Sequence, residues 1–404
     1  MRRILFLAAL LLAVSDRVCA QQQAPVQPSP PPAPAATNPA PIQVVTTPPA
    51  PDGAPRRAEL VAPPPTVSAA DAARYLAGMP VTETSPLVPL TRDRRWVAHA
   101  NAMNAAFATL EQRQLANIRA WRTELLAPAL QISRVCLYLF SGPDFLYANA
   151  FYPECDTYLL QGLEAADPLP DFVTLPPAAL LGALPDVEAA LNTLLNFSFF
   201  KTKDMRTDLQ RGALKGVLPI LFVFLARAGG EITEVNYASV DRNGHLLEGG
   251  PAGASRGVKI SFVTAGAGAR KTLYYFTTDL ADDALRRNPG VLRFYESFGP
   301  ANTFLKAASY LLHEGSFNTA RSELLSISAT VLQDDSGIPV RYFSPDRWTL
   351  RFFGTYAGPI RLFAKFYQAD LRQYYATSSP KPLPFGFGYQ WNRRNSTLIL
   401  AVKK

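Results

Sequence analysis

Three carboxylates stand where an extended strand would give way to a turn, the kind of position at which a fold can hold an acid or base at the edge of a cleft. Asp144 follows Ser141-Gly142-Pro143, and Asp334 and Asp335 precede Ser336-Gly337. At such a turn Asp144 is either a general acid or base or a cap for nearby backbone N–H groups. Asp334 and Asp335 are neighbours, so on extended chain they point apart and do not by themselves make an acid/base pair. Asp335 could instead meet Asp144 through space, as the two carboxyls of glycoside hydrolysis do at separations of about 5–10 Å. The bland alternative is an Asp-Ser-Gly turn. A calcium site has too few ligands in the local sequence.

Lys306, Tyr310 and His313 are spaced i, i+4 and i+7. A helix over 302–313 would place them on one face, where they could orient an anionic or hydroxyl-rich ligand and shuttle protons. The same spacing also describes an ordinary solvated face. Trp348 and Trp391, with the pairs Tyr274-Tyr275 and Tyr374-Tyr375, supply rings that could stack on sugars unless they belong to the core. The expected substrate-binding set is therefore Lys306, Tyr310, Asp334 and Trp348, around a catalytic set of Asp144, Asp335 and His313.

Cys136 and Cys155 flank the Gly142-Pro143 turn almost symmetrically. On adjacent strands they could form a structural disulfide contributing roughly 3 kcal/mol; two buried thiols are the alternative. Familiar signatures are missing. There is no Walker loop around Gly266 and Gly268, no G-x-S-x-G elbow, and no second His beyond His313-Glu314 to complete a zinc motif. Ser198-Phe-Phe-Lys201 matches S-x-x-K but lacks the companion Lys-Thr-Gly. No cofactor and no metal site is expected.

The text Ser141-Gly-Pro-Asp-Phe-Leu-Tyr-Ala-Asn149, continuing to Phe151-Tyr-Pro153, resembles a family of uncharacterised bacterial exported proteins. The stretches 157–164 and 333–339 are similar to the same family. The resemblance covers most of the chain from about Trp96, and it implies export but no activity and no catalytic residue.

The elements that must position these residues follow from periodicity. Thr91 caps a long helix in which Trp96, Ala100, Met103, Phe107, Leu110, Ile118, Trp121 and Leu125 recur at steps of three and four, and Pro128 ends it. Short strands are expected at 135–140, 145–151 and 157–160, and helices at 177–200 (broken near Pro185) and 203–228. A hairpin joins 258–264 to 271–278 across an Ala/Gly loop. Strands follow at 326–333, 349–353 and 397–402, with a helix at 366–375. Strands and helices come in runs, so the pattern predicts an α+β fold with a largely antiparallel sheet and packed helices.

The chain has 404 residues with a formal charge of +8, 48% apolar and 18% charged. That composition excludes disorder throughout, and the lack of an interior apolar stretch of about 18 residues excludes a multi-pass membrane protein. Residues 1–20 read as a cleaved signal peptide: Arg2 and Arg3, eleven apolar residues from Ile4 to Val14, then Val18-Cys19-Ala20. Acylation at Cys19 would need small apolar residues where Asp16, Arg17 and Val18 stand. Cleavage lowers the charge to +6, without a clustered basic stripe, so no nucleic-acid partner is expected. Residues 21–65 hold 15 prolines and form a disordered Pro-rich spacer that could reach on the order of 100 Å. Residues 66–404 are left as one α+β domain, or two subdomains.

These features predict a periplasmic or extracellular protein that binds, and as an enzyme would hydrolyse with carboxylates, a hydroxyl-rich polymer such as an envelope glycan. The rival expectation is a non-catalytic assembly protein whose Pro-rich arm contacts an envelope protein. An anion carrier exploiting the positive charge is a third. Oligomeric state is open.

Overall fold

The computed structural model describes residues 66–404 apart from 131–132, 198–211, 249–254 and 265–267. The signal, the Pro-rich spacer, Ser198–Lys201, the start of the 203–228 helix and the Ala/Gly loop of the hairpin lie wholly or partly outside the described residues. Residues 65–404 make a single compact unit.

The helices α1 (Ala69–Leu76), α2 (Arg94–Leu110) and α3 (Ala116–Trp121) lead into β1 (Val135–Tyr138), α4 (Phe145–Phe151) and β2 (Thr157–Gly162). Three more helices follow, α5 (Pro177–Gly182), α6 (Leu184–Phe197) and α7 (Leu218–Arg227). The strands β3 (Gly230–Val240), β4 (Leu246–Glu248), β5 (Ser255–Thr264) and β6 (Arg270–Thr277) come next. After α8 (Asp282–Arg287) and α9 (Gly290–Glu296) the chain makes β7 (Ala301–Leu305), α10 (Asn318–Ile327) and β8 (Ser328–Gln333). It closes with β9 (Trp348–Gly354), α11 (Ala369–Thr377) and β10 (Thr397–Lys403).

The long amphipathic helix starts two residues later than expected. Leu90–Arg92 forms a 3-10 turn, and Asp93 is the cap, its carboxylate accepting from the Arg95 N–H at 2.8 Å. Trp96, Ala100, Met103, Phe107, Leu110, Ile118 and Trp121 are buried along one stripe, carried through a π-helical turn at Glu111–Leu115. In α7 Pro219 sits in the first turn, where its missing N–H costs nothing, and Leu218–Ala226 are all buried. No described helix is long and apolar enough to cross a membrane.

Among the described residues ten strands form one sheet in the order β4-β3-β5-β6-β2-β1-β7-β8-β10-β9. Five of its nine pairings are antiparallel, including the expected β5–β6 hairpin with Ile260 opposite Leu273. The fold is α+β, with a mixed sheet. Its centre, β6-β2-β1-β7-β8, is parallel, which the sequence reading missed. Two reassigned segments account for this. Residues 145–151, expected as a strand, are helix α4, because Asp144 caps it by accepting the Tyr147 N–H at 3.2 Å. Residues 302–305, expected as the start of a helix over 302–313, belong instead to β7, buried at every position and so without alternation.

Helices cover both faces. Cys136, Tyr138, Tyr158 and Leu160 face a core shared with α1, α2, α4 and α7. Leu137, Leu159 and Val331 face the other core, with α9 and α10. The β1–β2 connection therefore crosses one face and the β7–β8 connection the other.

Parallel pairing also removes the expected disulfide. Cys136 is in register with Tyr158, three residues beyond Cys155, and both cysteines are free and buried. They do not face each other across a hairpin because α4 intervenes.

Candidate functional site

In an open parallel sheet the crevice for a ligand opens beyond the carboxyl ends of the strands, between neighbours whose connections leave toward opposite faces. Here that place is the gap between β1 and β7. The backbone there is unusual. Phe140 and Gly142 after β1 have φ of 60° and 55°, and Ala307, Ser309 and Tyr310 after β7 have φ of 51°, 53° and 55°. Left-handed conformations at non-glycine residues are costly and gather where surrounding structure enforces them.

The turn after β1 delivers Asp144, β7 delivers Lys306, and β8 delivers Asp334, Asp335 and Ser336. Lys306 Nζ lies 2.6 Å from Asp144 Oδ2, with both side chains at most 2% exposed. The Tyr138 hydroxyl donates to the same oxygen at 3.0 Å, and Lys306 Nζ also lies 3.5 Å from the centre of the Tyr147 ring. Burial pushes the Asp144 carboxyl up and the Lys306 ammonium down, and their contact opposes both shifts.

Asp334 is held by donors. The Ala307 N–H reaches Oδ2 at 3.1 Å, and the Ser336 N–H and hydroxyl reach Oδ1 at 3.1 and 2.5 Å. The strained loop after β7 thus aims its amides at β8, and the Ala308 N–H meets the Ser336 hydroxyl at 2.8 Å. Burial raises the Asp334 carboxyl against those donors. Asp335 has a different neighbourhood. Its Oδ2 accepts the Tyr310 hydroxyl at 2.7 Å, and its backbone carbonyl accepts Gln368 Nε2 at 3.0 Å. Burial, and then the charge of Asp334, push the Asp335 carboxyl up to about 7.

Over Asp335 lies an aromatic roof. The Tyr310 ring stacks on Phe366 at 5.2 Å and approaches Phe363 at 4.9 Å, and Tyr389 closes on Phe363 at 5.2 Å. No family model, curated protein or solved structure matches this chain.

The structure gathers Asp144, Asp334, Asp335, Lys306 and Tyr310, but not by the expected route. Lys306, Tyr310 and His313 do not share a helix face, since Lys306 and Tyr310 follow strand β7 in a loop and His313 ends the 3-10 turn Leu311–His313. The His313 ring lies 5.1 Å from Tyr310, and burial, reinforced by the Arg341 charge, lowers it to about 4. It is therefore neutral at pH 7 and cannot serve there as an acid. Trp348 is not a sugar platform: it is 4% exposed and packs edge-on to Phe343 at 5.3 Å. Tyr275 and Tyr375 are core residues too, whereas Trp391 is 42% exposed. Among the described residues no three His, Cys, Asp or Glu side chains group as a metal site.

Sequence reasoning missed Tyr138, Gln368, Tyr389 and Gly388. Only Tyr138 carried a local signal, six residues before Asp144 on the same strand and turn. Gly388 has φ +65°, and a Cβ built there would fall 1.8 Å from Asp334 Oδ2. Gly388→Ala is expected to cost about 1–3 kcal/mol by overpacking. Gly299→Ala, also at positive φ but with open space around it, should cost only the backbone strain. Urea midpoints of the two variants check this, and equal midpoints would disprove the packing argument.

Proposed function

We propose that the chain is an exported enzyme that hydrolyses a hydroxyl-rich polymer of the cell-wall or surface-glycan class, with Asp144 and Asp335 as its working carboxyls. The observation that carries this reading is one enclosed cluster in which two carboxyls are held differently. Asp144 has a cation at 2.6 Å, whereas Asp335 has a phenol donor and a raised pKa. Carboxyls whose surroundings differ in this way divide naturally into an acid and its charged partner. Asp335, about half protonated at pH 7, gives its proton to the leaving oxygen. Asp144, kept beside Lys306, supplies the negative charge that activates water or meets the developing cation. Asp334, tied by the Ala307 and Ser336 donors, orients the loop rather than reacting. The cluster is closed in the structure, so a polymer enters only when the roof of Phe363, Phe366 and Tyr389 lifts. Half-exposed Tyr367, next to Phe366 in the chain, and half-exposed Trp391 offer surfaces for sugar rings.

The test is to incubate the full chain with wall fragments and oligosaccharides and count new reducing ends. Release that disappears in Asp144→Asn supports the reading. Release that survives the Asp144→Asn/Asp335→Asn double variant rejects it. With no release from any polymer, the assembly-protein reading takes over, and a pull-down with and without residues 21–65 becomes the next experiment.

A second reading has one specific observation in its favour. The central order β6-β2-β1-β7-β8 is that of doubly wound sheets that bind dinucleotides across the switch point, where an acidic residue ending the second strand takes the ribose hydroxyls. Glu164 stands at that place, 5% exposed, with its carboxylate accepting the Tyr275 hydroxyl at 3.2 Å. The β1 turn lacks the G-x-G-x-x-G pattern, which is why this reading ranks second. Thermal shift of the full chain with nucleosides and with oligosaccharides decides between the two.

A further inference from the structure

The aromatic roof over Asp335 belongs to a short segment with unusual attachments. Residues 359–367 carry a 3-10 helix, Arg361–Phe366, in which no residue is buried. The helix is broken at Phe363, whose φ and ψ of −112° and 20° are not helical. Leu362 and Tyr367 are 41% and 53% exposed. Hydrogen bonds in 3-10 turns are weak, and a segment with so little buried apolar surface sits at the low-stability end of a fold.

Both ends, by contrast, are clamped. Gly358, at φ +88°, has its carbonyl held by Gln390 Nε2 at 3.0 Å. Gln368 is buried and makes three bonds. Its N–H donates to the Tyr356 hydroxyl at 2.9 Å, its Oε1 accepts the Val340 N–H at 3.0 Å, and its Nε2 donates to the Asp335 carbonyl at 3.0 Å. Between the clamps the segment meets the body mainly through rings. Phe363 and Phe366 rest on Tyr310 at 4.9 and 5.2 Å, and Phe366 lies edge-on to His313 at 5.4 Å. Its ion pair to the body, Lys365 with Glu314 at 2.8 Å, has side chains 71% and 43% exposed, and a pair so wet adds little.

We infer that residues 359–367 are a hinged strap, which opens as a unit between Gly358 and Gln368 and uncovers Tyr310 and the Asp335 carboxyl while the sheet stays intact. Gly358 supplies the backbone freedom at one end, where a Cβ would meet only the Tyr367 ring within 4 Å. Beneath the strap Tyr310 is 0% exposed and holds Asp335 through its hydroxyl. Closure therefore keeps water from the carboxyl, and opening returns it. That a polymer is what the strap admits rests on the hydrolase reading; the hinge itself does not.

Nitration of the full chain by tetranitromethane tests this without a substrate, at under about one nitro group per chain and located by mass spectrometry. The reagent needs a phenolate, which burial and the Asp335 charge disfavour at Tyr310 while the strap is shut. Exposed Tyr367 and Tyr374 should react first, and Tyr138 and Tyr295, each 1% exposed in the body, should stay unmodified. Tyr310 should react at an intermediate rate set by the fraction of strap open. Lys365→Glu sets like charges against Glu314 without removing any cover, so Tyr310 should react about fivefold faster. A carbodiimide that joins Lys365 to Glu314 as an amide should halt Tyr310 nitration in the parent and leave it unchanged in Lys365→Gln. A Tyr310 as inert as Tyr138 in the parent and in Lys365→Glu, or one nitrated equally with the link in place, would overturn the strap. A chain that releases no reducing ends yet shows these nitration rates would reject the hydrolase reading and keep the strap.

Discussion

Lys306→Met will lower the free energy of unfolding by about 3–5 kcal/mol, the usual cost of removing one member of a buried ion pair. Methionine fills much of the lysine volume, so the loss is electrostatic rather than a cavity effect. What remains is a carboxylate 1% exposed whose other partners are the Tyr138 hydroxyl and the Tyr147 N–H. It must either stay charged without a cation or take up a proton. Asp144→Asn placed on top of Lys306→Met should recover most of the loss, since an amide keeps the α4 cap and needs no counter-charge. Urea unfolding of the parent, both single variants and the double variant closes the cycle. A Lys306→Met variant within about 1 kcal/mol of the parent would mean that the pair is not buried in solution, and the site would have to be redrawn.

Asp335→Asn is expected to reduce turnover by about 10²–10⁴-fold, the range for loss of a general acid. The same residue sets two pH dependences. The acid must be protonated to act, so turnover of the parent should fall as pH rises through about 7, where burial has placed this carboxyl. Stability carries the same sign. The folded state holds the proton more tightly than the unfolded chain, whose ordinary value is 3.8. The stabilisation is fully present below that value and is lost as pH rises toward about 7. The amide introduced by Asp335→Asn does not titrate, so this part of the slope should vanish in the variant. Parallel stability profiles of parent and Asp335→Asn between these limits would refute the assignment. So would a turnover profile whose upper limb is unchanged.

Both predictions concern residues that were legible in the sequence, though for reasons that were only partly right. Asp144, Asp334 and Asp335 stood out because they border turns, and they do end strands or cap a helix where β1 and β8 stop. Lys306 and Tyr310 stood out through a helical spacing that the structure replaces with a strand and a left-handed loop. They reach the carboxylates because β7 lies between β1 and β8, a fact of strand order. His313 stood out through that same spacing, and Trp348 by residue type. The first is neutral beside Tyr310, and the second lies in the core.

The sequence by itself determined the extent of the Pro-rich stretch, the amphipathic stripe of the long helix, the β5–β6 hairpin and the α+β class. Each is a local pattern in which periodicity, caps and turn residues act over a few positions. Only the tertiary structure decided that the sheet has a parallel centre. β1, β2 and β7 are buried on both faces and show no alternation, and α4 is buried on nearly every side and shows no helical stripe. Without those units the β1–β7 gap could not be foreseen, nor the meeting of Asp144 with Lys306 across 162 positions of chain. Burial then sets the ionisation of Asp335, because desolvation depends on everything packed around a group and on almost nothing beside it in the chain.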